Sequence, residues 1–312
     1  ELAAARRRSA LERALGPAIA DALARADVVE ALINADGQVW LDVVGQGLTP
    51  LDMRLTAHDR EAAIRLLAHE AGESVGEARP ALATILPGSL ARVQAVLPPL
   101  ATAPVLAIRK RALKRLTLFD YVAAAVATER QAEALRQAVA ARANIVVAGG
   151  TGSGKTTLLN ALLAEPSFSQ SRVVILEDTA ELTCPSPNAV ELLTRRADPP
   201  VTMRDLVQMT MRLRPDRIIV GEVRDGAALE VLKAWNTGHP GGLLSLHANS
   251  AADALNRLED LCAEAMPAPS PRMIASAVDF IVFIERAPAG RVIADIVRVK
   301  SAKGGIYVTE PV

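Results

Sequence analysis

Gly149-Gly150-Thr151-Gly152-Ser153-Gly154-Lys155-Thr156 is the stretch that decides the fold of this 312-residue chain. It fits the pattern G-x-x-x-x-G-K-[ST], whose glycines let backbone N–H groups curl around phosphate oxygens. The apolar run 145–148 precedes it and helix-forming residues 157–164 follow it, so we predict a strand, a phosphate loop and a helix N-terminus. We call residues 149–156 the glycine-rich loop. We expect these residues and Thr157 to bind the phosphates of a nucleotide, with Lys155 on the β and γ phosphates.

Further along the chain, short apolar runs alternate with helical stretches. The runs are Val173 to Leu176, Ile218 to Val220, Leu243 to Leu246 and Phe280 to Ile284. Such runs are typical of buried strands in a parallel sheet that has helices on both faces. We therefore predict an α/β P-loop domain over residues 118–312, which ends in a hairpin from Arg291 to Val308.

Polar residues follow the predicted strands. Glu177 and Asp178 follow one strand, Glu222 follows the next and His247 follows a third. Ligands of open parallel sheets bind beyond the carboxyl ends of the strands, so we expect these residues to meet at the glycine-rich loop. The carboxylates are candidates for ordering Mg²⁺, together with Thr156, or for polarising the attacking water. The sequence of the motifs does not show which acid orders Mg²⁺ and which polarises the water. Each acid alternatively fits the simple role of capping a helix or turn.

His247 and several arginines complete the candidate site. A neutral imidazole at a strand end can sense the γ-phosphate, because it donates one hydrogen bond and accepts another. Arginines commonly neutralise charge on a transferring phosphoryl group, often from a neighbouring subunit. Arg214 ends a predicted helix, and Arg109 and Arg115 belong to a basic segment, residues 101–117. We expect at least one of these arginines to contact nucleotide, although each alone also fits a solvated surface.

The first hundred residues follow a different pattern. A polar, alanine-rich helix is predicted at the start, then a hairpin, a second helix and two short strands. The corresponding ranges are 1–26, 28–44, 58–71, 81–86 and 90–97. We therefore predict an N-terminal helix over residues 1–26, a small α+β domain over residues 27–100, and a basic linker over residues 101–117.

Composition excludes several classes of function. The 35 Lys and Arg balance 35 Asp and Glu, and only 3% of residues are aromatic. A polycation that coats nucleic acid and a stacking platform for single strands are therefore both disfavoured. The longest run without charge or histidine, Val93 to Ile108, is broken by prolines and is too short to span a bilayer. We expect membrane contact to be peripheral, through Arg6 to Arg8 and the basic segment.

The motifs, taken in order, resemble those of the secretion ATPase superfamily, which drives type II and type IV secretion, type IV pili and conjugation. The residues that carry the resemblance are Gly149–Thr156, Glu177–Glu181, Arg214–Arg224 and Thr237–Ser250. They are similar to the Walker A motif, Asp box, Walker B motif and His box. The resemblance implies a RecA-like ATPase domain, a PAS-like N-terminal domain and ATP bound between them in a homohexamer. It also implies that Glu177 and Glu222 are both needed for hydrolysis.

Within the superfamily, the chain looks most like the TrbB-type conjugal transfer ATPases of type IV secretion. Cys184 and Cys262 cannot build the tetracysteine zinc site of extension ATPases, and the A-I-R-N-L-I-R-E motif of retraction motors is absent. Gly-His-Pro-Gly-Gly at residues 238–242 carries the resemblance, whereas Ser245 stands where threonine is expected. The implied protein is a Mg²⁺-dependent ATPase motor on the cytoplasmic face of the inner membrane. Its implied partners are channel subunits and a coupling protein.

Other functions stay open at this point. A pilus assembly or retraction ATPase belongs to the same superfamily. A RecA-like DNA translocase or helicase is disfavoured by the balanced charge, and we expect no strong direct binding of nucleic acid. A GTPase switch is disfavoured because the guanine motif N-K-x-D is absent. The last alternative is a structural ring in which nucleotide only fixes assembly.

Overall fold

The computed structural model describes residues 11, 13–87, 89, 91–110, 116–195, 199–287 and 290–312. The chain divides into two compact units, Glu1–Leu113 and Lys114–Val312. Arg6 to Arg8 and Arg115, which the sequence analysis singles out, lie outside the described residues.

An antiparallel sheet of six strands forms the first unit, in the order β3-β2-β1-β6-β5-β4. The strands are β1 (Val28–Ile33), β2 (Gln38–Val43), β3 (Gly47–Arg54), β4 (Ala81–Ile85), β5 (Arg92–Val96) and β6 (Val105–Arg109). Buried and half-buried side chains alternate along β2, and the apolar face packs with α1 (Pro17–Ala24) and α2 (Ala57–Glu70). The α+β character of this region follows from that period-two pattern.

The prediction of a linker over residues 101–117 is wrong at residues 105–109, which form β6. β6 lies between β1 and β5 in the middle of the sheet, with Leu106 and Ile108 buried. Prolines before it and cations after it obscure this short alternation in the sequence. β3, whose residues are mostly exposed or half-buried, was not predicted either.

The second unit contains an eight-stranded sheet in the order β14-β13-β12-β7-β11-β10-β8-β9. Its strands are β7 (Ile145–Ala148), β8 (Val173–Glu177), β9 (Ala189–Leu193), β10 (Arg217–Val220), β11 (Leu243–Leu246), β12 (Phe280–Ala287), β13 (Gly290–Lys303) and β14 (Ile306–Pro311). Strands β12 to β9 in this order are parallel, and β13 and β14 add antiparallel to β12. All five predicted apolar strands and the terminal hairpin are confirmed.

Helices cover both faces of this sheet. They are α3 (Leu118–Ala123), α4 (Glu129–Ala140), α5 (Lys155–Leu163), α6 (Met203–Thr210), α7 (Ala227–Asn236), α8 (Ala251–Ala263) and α9 (Pro271–Ala277). Ile145 and Val147 of β7 pack on the face with α3 to α5, whereas Val146 and Ala148 pack on the face with α6 to α9. Every residue of β7 is therefore buried, as expected in an α/β fold. Among the described residues, no helix combines the length and the apolar character needed to cross a membrane.

The strand register brings the candidate residues to one edge of the sheet. Ala148 pairs with Leu246, and Val220 pairs with Leu176 and Leu244. Because these strands are parallel, their carboxyl ends meet at that edge. The glycine-rich loop follows β7 there, beside the residues that follow β8, β10 and β11.

Candidate active site

The backbone of the glycine-rich loop needs glycine at specific positions. A Cβ on Gly149 would lie 2.2 Å from the carbonyl oxygen of Ile284 in β12, so no side chain fits. Gly152 and Gly154 have φ angles of +68° and +106°, which L-residues with side chains rarely adopt. Gly154 caps α5, so the loop leads directly into a helix N-terminus, with Thr156 in its first turn. That arrangement suits an anion, because the amides and the helix dipole point the same way.

Lys155 lies inside this loop and is 7% exposed. Its Nζ donates to the carbonyl oxygens of Gly149 and Gly150, at 3.0 and 3.1 Å. The same ammonium lies 4.0 Å from Glu222 Oε1 and 3.4 Å from His247 Nδ1. Burial lowers the pKa of Lys155, while the charge of Glu222 opposes that shift. The structure therefore brings together the loop, its lysine and two of the predicted strand-end residues.

Glu222 is the centre of a network of charged and polar side chains. Its Oε1 lies 2.7 Å from His247 Nε2, and its Oε2 accepts from Arg224 Nε at 2.5 Å. A neutral His247 satisfies both neighbours when Nε2 carries the proton, because Nε2 then donates to Glu222 and Nδ1 accepts from Lys155. Burial and the charge of Lys155 lower the pKa of His247, which agrees with the neutral ring.

Asp178 is linked to Glu222 through Arg224. Arg224 Nη1 lies 3.9 Å from Asp178 Oδ2, and Thr194 Oγ1 donates to Asp178 Oδ1 at 2.9 Å. An open cleft of about 370 Å³ is lined by Asp178, Thr194, Glu222 and Arg224, among others. Two predicted Mg²⁺ ligands, Asp178 and Glu222, therefore line one cleft. Within the described part of the chain, no group of three His, Cys, Asp or Glu side chains is arranged to hold a metal ion by itself.

Glu177 has different surroundings. It is 3% exposed, and its Oε1 accepts from the backbone N–H groups of Glu181 and Leu182, both at 2.9 Å. This carboxylate therefore holds the turn that follows β8. A Cβ on Gly221 would lie 3.0 Å from Glu177 Cγ, so a side chain at position 221 would require Glu177 to shift slightly.

Ser245, the departure from the expected threonine, is buried in β11. Its hydroxyl donates to the carbonyl oxygen of Gly221 at 2.6 Å, and the N–H of Val223 donates to the carbonyl oxygen of Ser245 at 2.9 Å. These two bonds tie the segment that carries Glu222 to the strand that carries His247. A serine hydroxyl is sufficient for the first bond.

Arg214 does not lie with the other predicted catalytic residues. It precedes β10 and is therefore at the amino ends of the parallel strands. Arg172, before β8, donates to the carbonyl oxygen of Leu213 at 2.7 Å, and His239, before β11, lies 3.0 Å from that of Pro215. The glycine-rich loop is at the opposite edge, so Arg214 does not lie beside this chain's own loop, and its predicted catalytic role stays a prediction. Chain order already places Arg214 before the predicted strand Ile218 to Val220, and therefore at its amino end.

Arg109 is the last residue of β6, in the first unit, and is exposed. Arg115 lies outside the described residues. Their predicted contact with nucleotide therefore stays a prediction.

Sequence reasoning missed two arginines beside the loop. Arg286 of β12 and Arg291 of β13 both donate from Nε to the carbonyl oxygen of Gly152, at 3.1 and 3.4 Å. The sequence signal was a pair of arginines that flank the turn after the last predicted apolar strand. It was too short to stand out among 35 cations.

Known proteins resemble this chain over most of its length. The profile of the family described as "Type II/IV secretion system protein" matches residues 82–291. The chain belongs to this family. The "Probable conjugal transfer protein TrbB" of Sinorhizobium fredii is 45% identical over 302 residues, which cover 96% of this chain and 92% of that protein. The secretion-family resemblance drawn from the motifs is thereby confirmed.

One further relative and one solved structure widen the comparison. The "Type IV secretion system protein PtlH" of Bordetella pertussis is 34% identical over 298 residues, which cover 85% of this chain and 87% of that protein. The crystal structure of the pilus retraction motor PilT with bound ADP matches with a TM-score of 0.65 at 18% identity. That match covers 94% of this chain and 83% of PilT. At this identity the likeness to PilT shows the fold alone.

Proposed function

We propose that the chain is an ATP-hydrolysing motor of a type IV secretion or conjugal transfer system. The observation that carries the proposal is the position of Lys155 within the glycine-rich loop, 4.0 Å from Glu222 and 3.4 Å from His247. A phosphate loop beside a strand-end acid is what hydrolysis of a phosphoanhydride requires. Relatives named as conjugal transfer and type IV secretion proteins support the cellular setting.

The loop binds the triphosphate, and Glu222 acts on the water. Backbone amides of residues 149–156 hold the phosphates, and Lys155 neutralises charge that develops on the γ-phosphoryl group. Glu222 accepts a proton from the attacking water, while His247 and Arg224 keep its carboxylate at the crevice. Glu177 supports the reaction by holding the turn after β8 in place.

Mg²⁺ fits this set of donors as a partner of ATP. Magnesium is usually bound by one or two protein oxygens together with phosphates and water. Thr156 at the start of α5, with Asp178 and Glu222 lining the cleft, supplies oxygen donors of that kind. When bound, the ion would neutralise charge on the phosphates.

The finer features of the proposal concern fold and assembly. We assign a RecA-like class to the second unit and a PAS-like class to the first. We further propose a homohexamer in which Arg109 or Arg115 meets a neighbour's nucleotide. The ring would lie peripherally on the cytoplasmic face of the inner membrane, beside channel subunits and a coupling protein.

A turnover assay tests the activity. We expect hydrolysis of ATP that requires Mg²⁺, exceeds hydrolysis of GTP and does not depend on single-stranded DNA. Strong stimulation by DNA would favour a translocase, and nucleotide binding without turnover would favour a structural ring.

Analytical ultracentrifugation tests the assembly. We expect turnover per subunit to rise with protein concentration as the hexamer forms, and Arg109→Ala to lose hydrolysis while it still assembles. A fully active monomer would contradict both the ring and an arginine acting between subunits.

A further inference from the structure

Two arginines, Arg286 and Arg291, contact the glycine-rich loop on the side opposite Glu222. Arg286 and Arg291 share one acceptor, the carbonyl oxygen of Gly152, although Arg286 is 134 residues away along the chain. A Cβ on Gly152 would lie 2.8 Å from Arg286 Nη2, and a Cβ on Gly154 would lie 2.9 Å from Arg291 Cδ. Both side chains therefore lie directly against the loop backbone.

The sheet order places these arginines. β7, which leads into the loop, lies between β11 and β12. β12 pairs in parallel with β7 up to Phe283, opposite Ala148, and then continues beyond the end of β7 to Arg286. His247 follows β11 on the other side. The loop thus has the Glu222 network on one flank and the two arginines on the other.

In the described part of the chain, no acidic side chain forms an ion pair with Arg286 or Arg291. Arg286 and Arg291 are directly opposite each other in the β12–β13 register, an arrangement that destabilises a strand pair when the charges are alike. Throughout the described ranges, no carboxylate lies within 4.0 Å of either guanidinium. An anion beside the loop would remove this repulsion.

The arginines also have free hydrogen-bonding capacity. Each uses its Nε–H for Gly152, and within the described part of the chain the Nη hydrogens of both have no acceptor. A guanidinium whose Nε is anchored can direct both Nη groups toward phosphate oxygens, in a planar fork that suits them.

We propose that Arg286 and Arg291 bind the phosphate chain of the nucleotide, on the flank of the glycine-rich loop opposite Glu222. This assignment rests on the proposed function, because it takes a nucleoside polyphosphate as the ligand of the loop. The two arginines are binding residues that add positive charge to that of Lys155, on a flank where the loop backbone supplies only neutral amides.

Calorimetric titration of the full chain tests the assignment with two ligands, ATP and inorganic tripolyphosphate. We expect Arg286→Gln and Arg291→Gln each to weaken both ligands roughly tenfold, as for loss of a hydrogen bond between charged groups. The loss should shrink at high salt, because it is electrostatic. Arg298→Gln is the matched control: it removes a cation from the far end of the same hairpin, beside Phe280, and should leave both affinities unchanged.

Each other result has a distinct meaning. Unchanged affinities in both variants would overturn the assignment. A loss for ATP but not for tripolyphosphate would place the arginines at the base or ribose and would also overturn it. A loss that does not vary with salt would show that the arginines only shape the loop. A wild-type chain that binds neither ligand would instead refute the proposed function, so the two failures are separable.

Discussion

The strand ends of β8 and β10 lie side by side, yet their glutamates have opposite environments. Glu177 is almost completely buried, and its carboxylate accepts hydrogen bonds from two backbone N–H groups. Glu222 retains about a fifth of its side-chain exposure and contacts Lys155, His247 and Arg224. The same residue type at equivalent strand ends is therefore a support of the backbone in one case and the centre of a charge network in the other.

Gly221 lies between the two glutamates in space. β10 ends at Val220, and a Cβ on Gly221 would lie 3.0 Å from Glu177 Cγ, so the segment before Glu222 packs closely against Glu177. The comparison teaches that position at a strand end brings an acid to a site, whereas the neighbouring backbone decides what the acid does there.

The largest effect on hydrolysis should come from Lys155, which lies beside Glu222. Lys155→Ala should lower the rate of ATP hydrolysis roughly a hundred- to a thousandfold, because it removes a preorganised cation at the γ-phosphate. Steady-state phosphate release measures this effect. Lys233→Ala, which removes an exposed lysine of α7, is the control. A variant that keeps a third of wild-type turnover would place Lys155 outside the reaction.

Glu222→Gln should separate binding from chemistry. It removes the base and one negative charge but leaves the loop intact, so ATP should still bind while hydrolysis falls roughly a hundredfold or more. Nucleotide titration beside the turnover assay measures both properties, and Glu191→Gln on the exposed side of β9 is the control. Loss of ATP binding would show that Glu222 mainly holds Mg²⁺ or the loop and would contradict its role as the base.

Substitution of Glu177 should mainly lower the stability of the fold. Glu177→Ala leaves the N–H groups of Glu181 and Leu182 without their acceptor, so the free energy of unfolding should fall by about 1–3 kcal/mol. Glu222→Ala should change it less, because every contact that the structure describes for Glu222 comes from a side chain. Urea denaturation of the two variants makes the comparison directly, and equal losses would remove the distinction between the two strand ends.

Glu177→Gln is the companion variant. Its side-chain oxygen can still accept both backbone bonds, so stability should stay near wild type. Hydrolysis that nevertheless collapses would show that the negative charge of Glu177 takes part in the reaction, as the family resemblance implies.

The smallest effect concerns His247 and pH. Because its pKa is lowered in the folded chain, the unfolded state binds more protons just below the ordinary histidine value of 6.5. The free energy of unfolding should therefore decrease as the pH falls through 6.5 toward the lowered pKa. At pH values well above 6.5, His247 should not affect the free energy of unfolding. His247→Asn should flatten that slope, and His58→Asn, which removes an exposed histidine of α2, is the matched control. Equal slopes in wild type and His247→Asn would contradict the neutral ring between Lys155 and Glu222.

Much of the second unit could be predicted because its signals are local. Four fully buried residues precede the glycine-rich loop, and the loop's own glycines report a backbone with positive φ. β9 and β3 were missed because they lack a buried apolar run. β6 was missed because prolines and cations surround a strand of five residues.

The sequence by itself determined the phosphate loop, the alternation of strands and helices, and the polar residues at the strand ends. These depend on local sterics and on burial, which residue type and spacing express directly. Only the tertiary structure decided that Glu177 faces backbone while Glu222 faces Lys155, and that Arg286 and Arg291 lie against Gly152. The reason is that β7 lies between β11 and β12, so sheet order joins residues more than a hundred positions apart, and no local pattern in the chain encodes that order.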